Sequence, residues 1–108
     1  MSVKEISRAA LSEALLSQSP PVVLEALDRK YYDSGHLPTA RMLPPAETDR
    51  IAAIVADKDQ AVVVYCASAT CANSHQAAAQ LEKQGYRNVA VYAGGKADWV
   101  EAGLRLER

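Results

Sequence analysis

The chain has 108 residues, 49% of them apolar and 23% charged, with a formal net charge of −1. That length suffices for one compact domain with its own core and is too short for two, so residues 1–108 are read as one soluble globular domain. No run of Lys or Arg occurs, which leaves nucleic acid and anionic membrane without the basic stripe they need, and with no signal-peptide pattern and no membrane-length apolar run a cytoplasmic location is expected.

In chain order, Val3–Ile6 is a weakly signalled first strand. Ser7 follows as the N-cap of a helix over Arg8–Ser17, with Leu11, Ala14 and Leu15 at helical spacing. Pro20-Pro21 breaks the chain before the apolar run Val22-Val23-Leu24. Asp28 to Pro45 is polar and punctuated by Gly and Pro. Glu47–Ala56 then reads as a helix with Ile51, Ile54 and Val55 on one face. Ala61–Tyr65 is apolar throughout, as expected of a strand buried on both faces of a parallel sheet. Small and polar residues from Cys66 to Asn73 lead into a helix over Ser74–Gln84. Val89–Tyr92 is the next strand, and after Gly94-Gly95 a last helix runs from about Lys96 to Ala102. Strands alternating with helices predict an α/β fold with a parallel sheet.

Two cysteines without an export signal argue for thiol chemistry or plain packing rather than a disulfide scaffold. Ligands of open α/β sheets bind outside the carboxyl ends of the strands, and Cys66 sits at such an end, between the most apolar strand and a helix. Asn73 and Gln76 have capping-box spacing at that helix start. Between them and Cys66, the residues Ala67, Ser68, Ala69, Thr70 and Ala72 are all small. Backbone N–H groups of such a loop, with the positive end of the helix dipole, stabilise a central thiolate, lower its pKa and make Cys66 a nucleophile. The alternative is a small buried hydrophobe, and position alone does not choose between them.

Val63-Val64-Tyr65-Cys66, then Leu81, Gly85-Tyr86, Asn88-Val89, Gly94-Gly95, Trp99 and Gly103-Leu104 resemble the C-terminal half of rhodanese domains. Upstream, Val22-Val23-Leu24, Tyr32, Gly35-His36-Leu37-Pro38 and Ala40 resemble that family's N-terminal signature, in the right order. The resemblance spans about Ile6 to Leu106. It implies a five-stranded parallel sheet flanked by helices and a sulfurtransferase whose catalytic cysteine, Cys66 by position, accepts sulfane sulfur as a persulfide and passes it to a thiophilic acceptor. The active loop Ala67–Ala72 would then bind the donor. Partners are a small-molecule or protein-borne sulfur donor and a thiol acceptor; no cofactor or metal is implied, and the chain is expected as a monomer or homodimer.

The sequence departs from the family pattern in several places. Glu25 stands where Asp is usual, Leu27 where Arg is usual and Thr39 where Gly is usual. Cys71 occupies the place of the arginine that usually closes the active loop, and the stretch from Cys66 to Leu81 is about two residues longer than the commonest pattern. The Cys-x4-Cys loop resembles a subgroup of small rhodanese-like proteins. Without the arginine, a less charged donor or a protein-borne persulfide is as plausible as thiosulfate.

Cys71 is either loop filler or a second thiol that resolves a persulfide or sulfenic acid on Cys66. Cys66, Cys71 and His75 have tolerable metal-ligand spacing, but they supply three ligands unless His36 folds back. His36 is expected as a structural loop residue, His75 as a solvated helix-start histidine and Trp99 as core. Gly94-Gly95 is expected to let a turn approach the active loop, and Ser68 and Thr70 either bind an anion or shape the loop. Two rival functions carry the same cysteine. A Cys-dependent phosphatase or arsenate reductase would need an Arg clamp and usually an Asp acid, which the loop lacks. A non-catalytic binding or regulatory module would not need Cys66 at all.

Overall fold

The computed structural model describes Lys4–Arg108. Five strands, β1 (Lys4–Glu5), β2 (Val22–Glu25), β3 (Arg41–Met42), β4 (Val62–Tyr65) and β5 (Val89–Tyr92), form one sheet in the order β1-β5-β4-β2-β3. Every pairing is parallel. The helices are α1 (Arg8–Leu15), α2 (Arg29–Asp33), α3 (Ile51–Ile54), α4 (Asn73–Lys83) and α5 (Gly95–Glu101), with a kinked 3-10 segment over Pro45–Arg50 before α3.

Alternation along the strands divides the core between the two faces of the sheet. Leu24, Val62, Val64, Val89 and Val91 pack with Ile51 of α3 and with Ala77, Ala78 and Leu81 of α4. Val23, Val63, Tyr65 and Tyr92 point to the other face and meet Leu11 of α1, Leu37 and Trp99 of α5. Both faces are therefore covered, which is why β4 is buried at every position. The central strand β4 runs between β2 and β5, and its carboxyl end delivers Cys66.

Several elements differ from expectation. Val3 lies outside the described residues, and β1 is confined to Lys4–Glu5. Ser7 does cap α1, its Oγ accepting from the Ala10 N–H at 3.1 Å, but the helix stops at Leu15. The polar segment from Asp28 to Pro45 contains α2 and β3, both too short to show a period. The expected helix Glu47–Ala56 is instead the 3-10 segment followed by a single turn, because Glu47 has non-helical backbone angles. The capping box at α4 does not form. Asn73 is the first helical residue, and its Nδ2 donates across the sheet end to the Ala26 carbonyl at 3.2 Å.

Thr39 stands in the left-handed region at φ 68°. A β-branched residue pays there for the contact of its Cβ with the following carbonyl, about 1–2 kcal/mol for any L-residue. Thr39→Gly removes that strain but adds freedom to the unfolded chain, about 0.5–1 kcal/mol in the opposite direction. A net stabilisation of about 0.5–1 kcal/mol is expected. Urea unfolding of the two chains measures it, and an unchanged or lower midpoint would show that the threonine side chain supplies a compensating contact.

Candidate active site

Cys66 follows Tyr65 directly at the end of β4 and is 1% exposed. Two anchors hold its backbone from α5: the Lys96 N–H donates to the Cys66 carbonyl at 3.0 Å and the Ala97 N–H to the Ala67 carbonyl at 2.9 Å. The expectation for Gly94-Gly95 is met at Gly95. It has φ 66°, and a Cβ there would stand 2.4 Å from the Cys66 carbonyl oxygen and 2.9 Å from the Ser68 nitrogen. Only glycine allows α5 to start this close to the loop.

The loop turns back on itself through the Cys71 N–H, which donates to the Ser68 carbonyl at 3.1 Å. This turn brings Cys71 onto Cys66, and the two are joined in a disulfide with their Cα atoms 6.4 Å apart. With the disulfide closed, the polar neighbours of Cys66 Sγ are the carbonyl oxygens of Cys71 (3.3 Å) and Ser68 (3.9 Å) and the Ser74 hydroxyl (3.9 Å). No amide of the described residues donates to that sulfur, so the expected N–H cradle is not closed around it in this state. The amides of Ala67, Ser68, Ala69, Thr70 and Ala72 nevertheless donate to nothing among the described residues. Ser68 and Thr70 bond to each other through their hydroxyls at 3.0 Å, which shapes the loop. His75 Nε2 lies 3.4 Å from Glu5 Oε2.

Beneath the loop lies a charged group that sequence reading did not assign to the site. Glu25, at the end of β2 and paired in register with Tyr65, is fully buried. Its Oε2 accepts from the Tyr65 hydroxyl at 2.5 Å, and that hydroxyl accepts from the Leu37 N–H at 3.0 Å. Burial, the hydrogen bond to Glu25 and its charge all push Tyr65 far above the usual phenol range, so it stays a donor. The Lys96 ammonium stands 3.0 Å from Glu25 Oε1 and donates to the Tyr31 carbonyl at 2.5 Å. Oε1 has no well-aligned hydrogen bond, so the Lys96 contact is a charge contact more than a directed one. Lys96 thus binds the loop through its backbone and neutralises the buried carboxylate through its side chain. The clue in the sequence was Glu25 itself: a carboxylate closing an apolar run needs a buried partner.

On the other side of α5, the Tyr92 hydroxyl donates to Asp98 Oδ2 at 2.5 Å and Arg8 pairs with Oδ1 at 2.8 Å. The hydrogen bond from Tyr92, then Arg8, holds the Asp98 carboxyl below the usual range. Trp99 packs edge-on against Tyr92 and donates to the Arg105 carbonyl at 3.0 Å, the core role expected of it. His36 is equally structural: its ring stacks on Tyr32 at 3.9 Å, and its backbone bridges to Glu107.

A family model described as the rhodanese-like domain matches residues 8–102. The chain belongs to the rhodanese-like domain family. A sulfurtransferase of Allochromatium vinosum is 34% identical, aligned over 96% of this chain and 94% of its own length. Among solved structures, a rhodanese-like domain from Anabaena superposes with a TM-score of 0.72 at 27% identity, over 82% of this chain and 99% of that one. A thiosulfate sulfurtransferase from Pseudomonas aeruginosa gives 0.83 at 26% identity, over 98% of this rhodanese-like chain, which spans 20% of that larger protein. These relatives support sulfurtransferase function. The five-stranded parallel sheet flanked by helices is the architecture that the rhodanese resemblance implied. No helix among the described residues is long and apolar enough to cross a membrane.

Proposed function

We propose that the chain transfers sulfane sulfur through a persulfide on Cys66, between a donor such as thiosulfate or a persulfide and a thiol acceptor. The observation that carries this reading is the position of Cys66 at the carboxyl end of the central strand. There it opens a loop of small residues whose amides, Ala67 to Thr70 and Ala72, have no other partner among the described residues. The relatives named as sulfurtransferases point the same way. With the disulfide reduced, the Cys66 thiolate attacks the outer sulfur of the donor. The donor's S–S bond breaks, its remainder (sulfite, for thiosulfate) leaves with the electron pair, and Cys66 holds the extra sulfur. An acceptor thiolate then attacks that outer sulfur and Cys66 departs as a thiolate. The unpartnered loop amides, Ala67 to Thr70 and Ala72, bind the incoming anion in this scheme, in place of an arginine.

A phosphatase or arsenate reductase reading gains nothing from the structure. The loop from Cys66 to Ala72 contributes neither an Arg to clamp an oxyanion nor an Asp to act as the acid.

The test is intact mass of the reduced protein after incubation with thiosulfate. One sulfur atom is expected to be gained by the Cys71→Ala chain, which has no second thiol to displace it, and none at this position by Cys66→Ser, whose sulfur transfer should fall to the uncatalysed rate. Undiminished transfer by the serine variant would sink the proposal.

A further inference from the structure

The loop holds more than one thiol needs. Cys66 is fixed from α5 through its own carbonyl, and Cys71 lies two residues before Asn73, which is tied to Ala26. Both ends of the loop are thus anchored to the frame, and between them stand only Ala67, Ser68, Ala69 and Thr70. Closing the loop therefore displaces no large side chain. The Cα separation of 6.4 Å falls within the span a disulfide bridges, roughly 4.4–6.8 Å, so the frame places Cys71 where its sulfur meets Cys66 Sγ itself. With the pair joined, Cys66 is covered.

A thiol placed on Cys66 Sγ has a specific consequence once that atom carries an extra sulfur, and here the argument rests on the proposed persulfide. A persulfide has two electrophilic sulfurs. An acceptor attacking the outer one carries it away, whereas attack on the inner one, Cys66 Sγ, expels the outer one. We infer that Cys71 resolves the Cys66 persulfide by the second route, so that the chain reduces sulfane sulfur to sulfide. The Cys71 thiolate attacks Cys66 Sγ and the Sγ–Sγ bond forms. The bond from Cys66 Sγ to the outer sulfur breaks, and that sulfur leaves with the electron pair as hydrosulfide. In balance, Cys66–S–SH and Cys71–SH give the Cys66–Cys71 disulfide and H2S. The sulfane sulfur is reduced by two electrons, which come from the two cysteines. The disulfide is returned to two thiols by a dithiol reductant, which supplies two electrons and two protons and becomes a disulfide in turn. The attack is intramolecular and starts from a held geometry, so it proceeds wherever no acceptor thiol is already in place. The partner this activity requires is thus a dithiol, and the disulfide-joined pair is the product of its reductive half.

The test uses the full chain, reduced with a dithiol and freed of it, then given thiosulfate or, in parallel, a thiosulfonate, neither of which releases sulfide by itself. In the wild type, about one sulfide per chain is expected, with a protein lighter by two hydrogens whose peptide map joins Cys66 to Cys71. Cys71→Ala is expected to keep its extra sulfur and release no sulfide until a thiol is added; its circular dichroism confirms folding. If wild type and Cys71→Ala hold the extra sulfur equally long, Cys71 does not resolve it, while sulfur transfer through Cys66 stands. If neither chain takes up sulfur from either donor, both readings fall.

Discussion

Lys96→Met is expected to destabilise the protein by about 3–5 kcal/mol, a large part of the total for a domain of this size. The substitution keeps most of the buried stem of the side chain and removes its charge. Lys96 is the cation beside Glu25, whose carboxylate is fully buried, and removal leaves Tyr65 as its hydrogen-bond partner. Breaking a buried pair from one side costs far more than the pair contributes, because the remaining charge is left buried without its counter-ion. The same ammonium ties the Tyr31 carbonyl of α2, so that bond is lost as well. The control is Glu25→Gln, which keeps an acceptor for the Tyr65 hydroxyl without the charge. In that background Lys96→Met should cost about 1 kcal/mol, the scale of an ordinary hydrogen bond. Urea unfolding of the four chains gives the coupling directly. Equal costs of Lys96→Met in the two backgrounds would show that the charge of Glu25 does not need Lys96, and the lysine would then be a tether only.

This pair also marks where sequence reading stopped. Ala61–Tyr65 and Val89–Tyr92 are legible because continuous apolar runs suit strands covered on both faces, and both are strands. Cys66 is legible for the same reason, since the end of such a run is where a parallel sheet exposes its chemistry. The glycine pair before it announces the last helix to within a residue of α5. By contrast, β3 is two residues long and α2 five, so neither completes a period that could announce it. Asn73 and Gln76 had the spacing of a capping box, yet a tertiary acceptor, the Ala26 carbonyl, took the Asn73 side chain. Glu25 and Lys96 are 71 positions apart, Lys96 standing at the start of α5. No local pattern joins them; only the parallel order that sets β2 beside β4, with α5 over the loop, does so. Local signals point to Cys66 as the candidate nucleophile, and the groups that hold it in place come from the ends of other elements.

Gly95→Ala is expected to slow sulfur loading of Cys66 by roughly 10²-fold, the scale of an ångström-sized misplacement of a reacting group. The new Cβ would stand 2.4 Å from the Cys66 carbonyl oxygen, 2.9 Å from the Ser68 nitrogen and 3.0 Å from the Ala67 carbonyl carbon. All three are backbone atoms, so no side chain can swing aside, and either α5 or the loop must move. Whichever moves, the two hydrogen bonds from the Lys96 and Ala97 amides to the Cys66 and Ala67 carbonyls are stretched, and the sulfur loses its fixed position. A left-handed backbone angle at Gly95 adds a cost of about 1–2 kcal/mol that has nothing to do with the loop. Gly103 separates the two effects. It has φ 80°, but a Cβ there meets nothing within 4 Å. Gly103→Ala should therefore lose stability by that same backbone cost and load sulfur at the wild-type rate. Loading rates from stopped incubations with thiosulfate, each chain carrying Cys71→Ala so that the added sulfur is kept, are read by intact mass alongside thermal unfolding and compare the three chains. A Gly95→Ala chain that loads as fast as Gly103→Ala would mean that the loop tolerates the displacement, and that the grip of α5 on Cys66 does not set its reactivity.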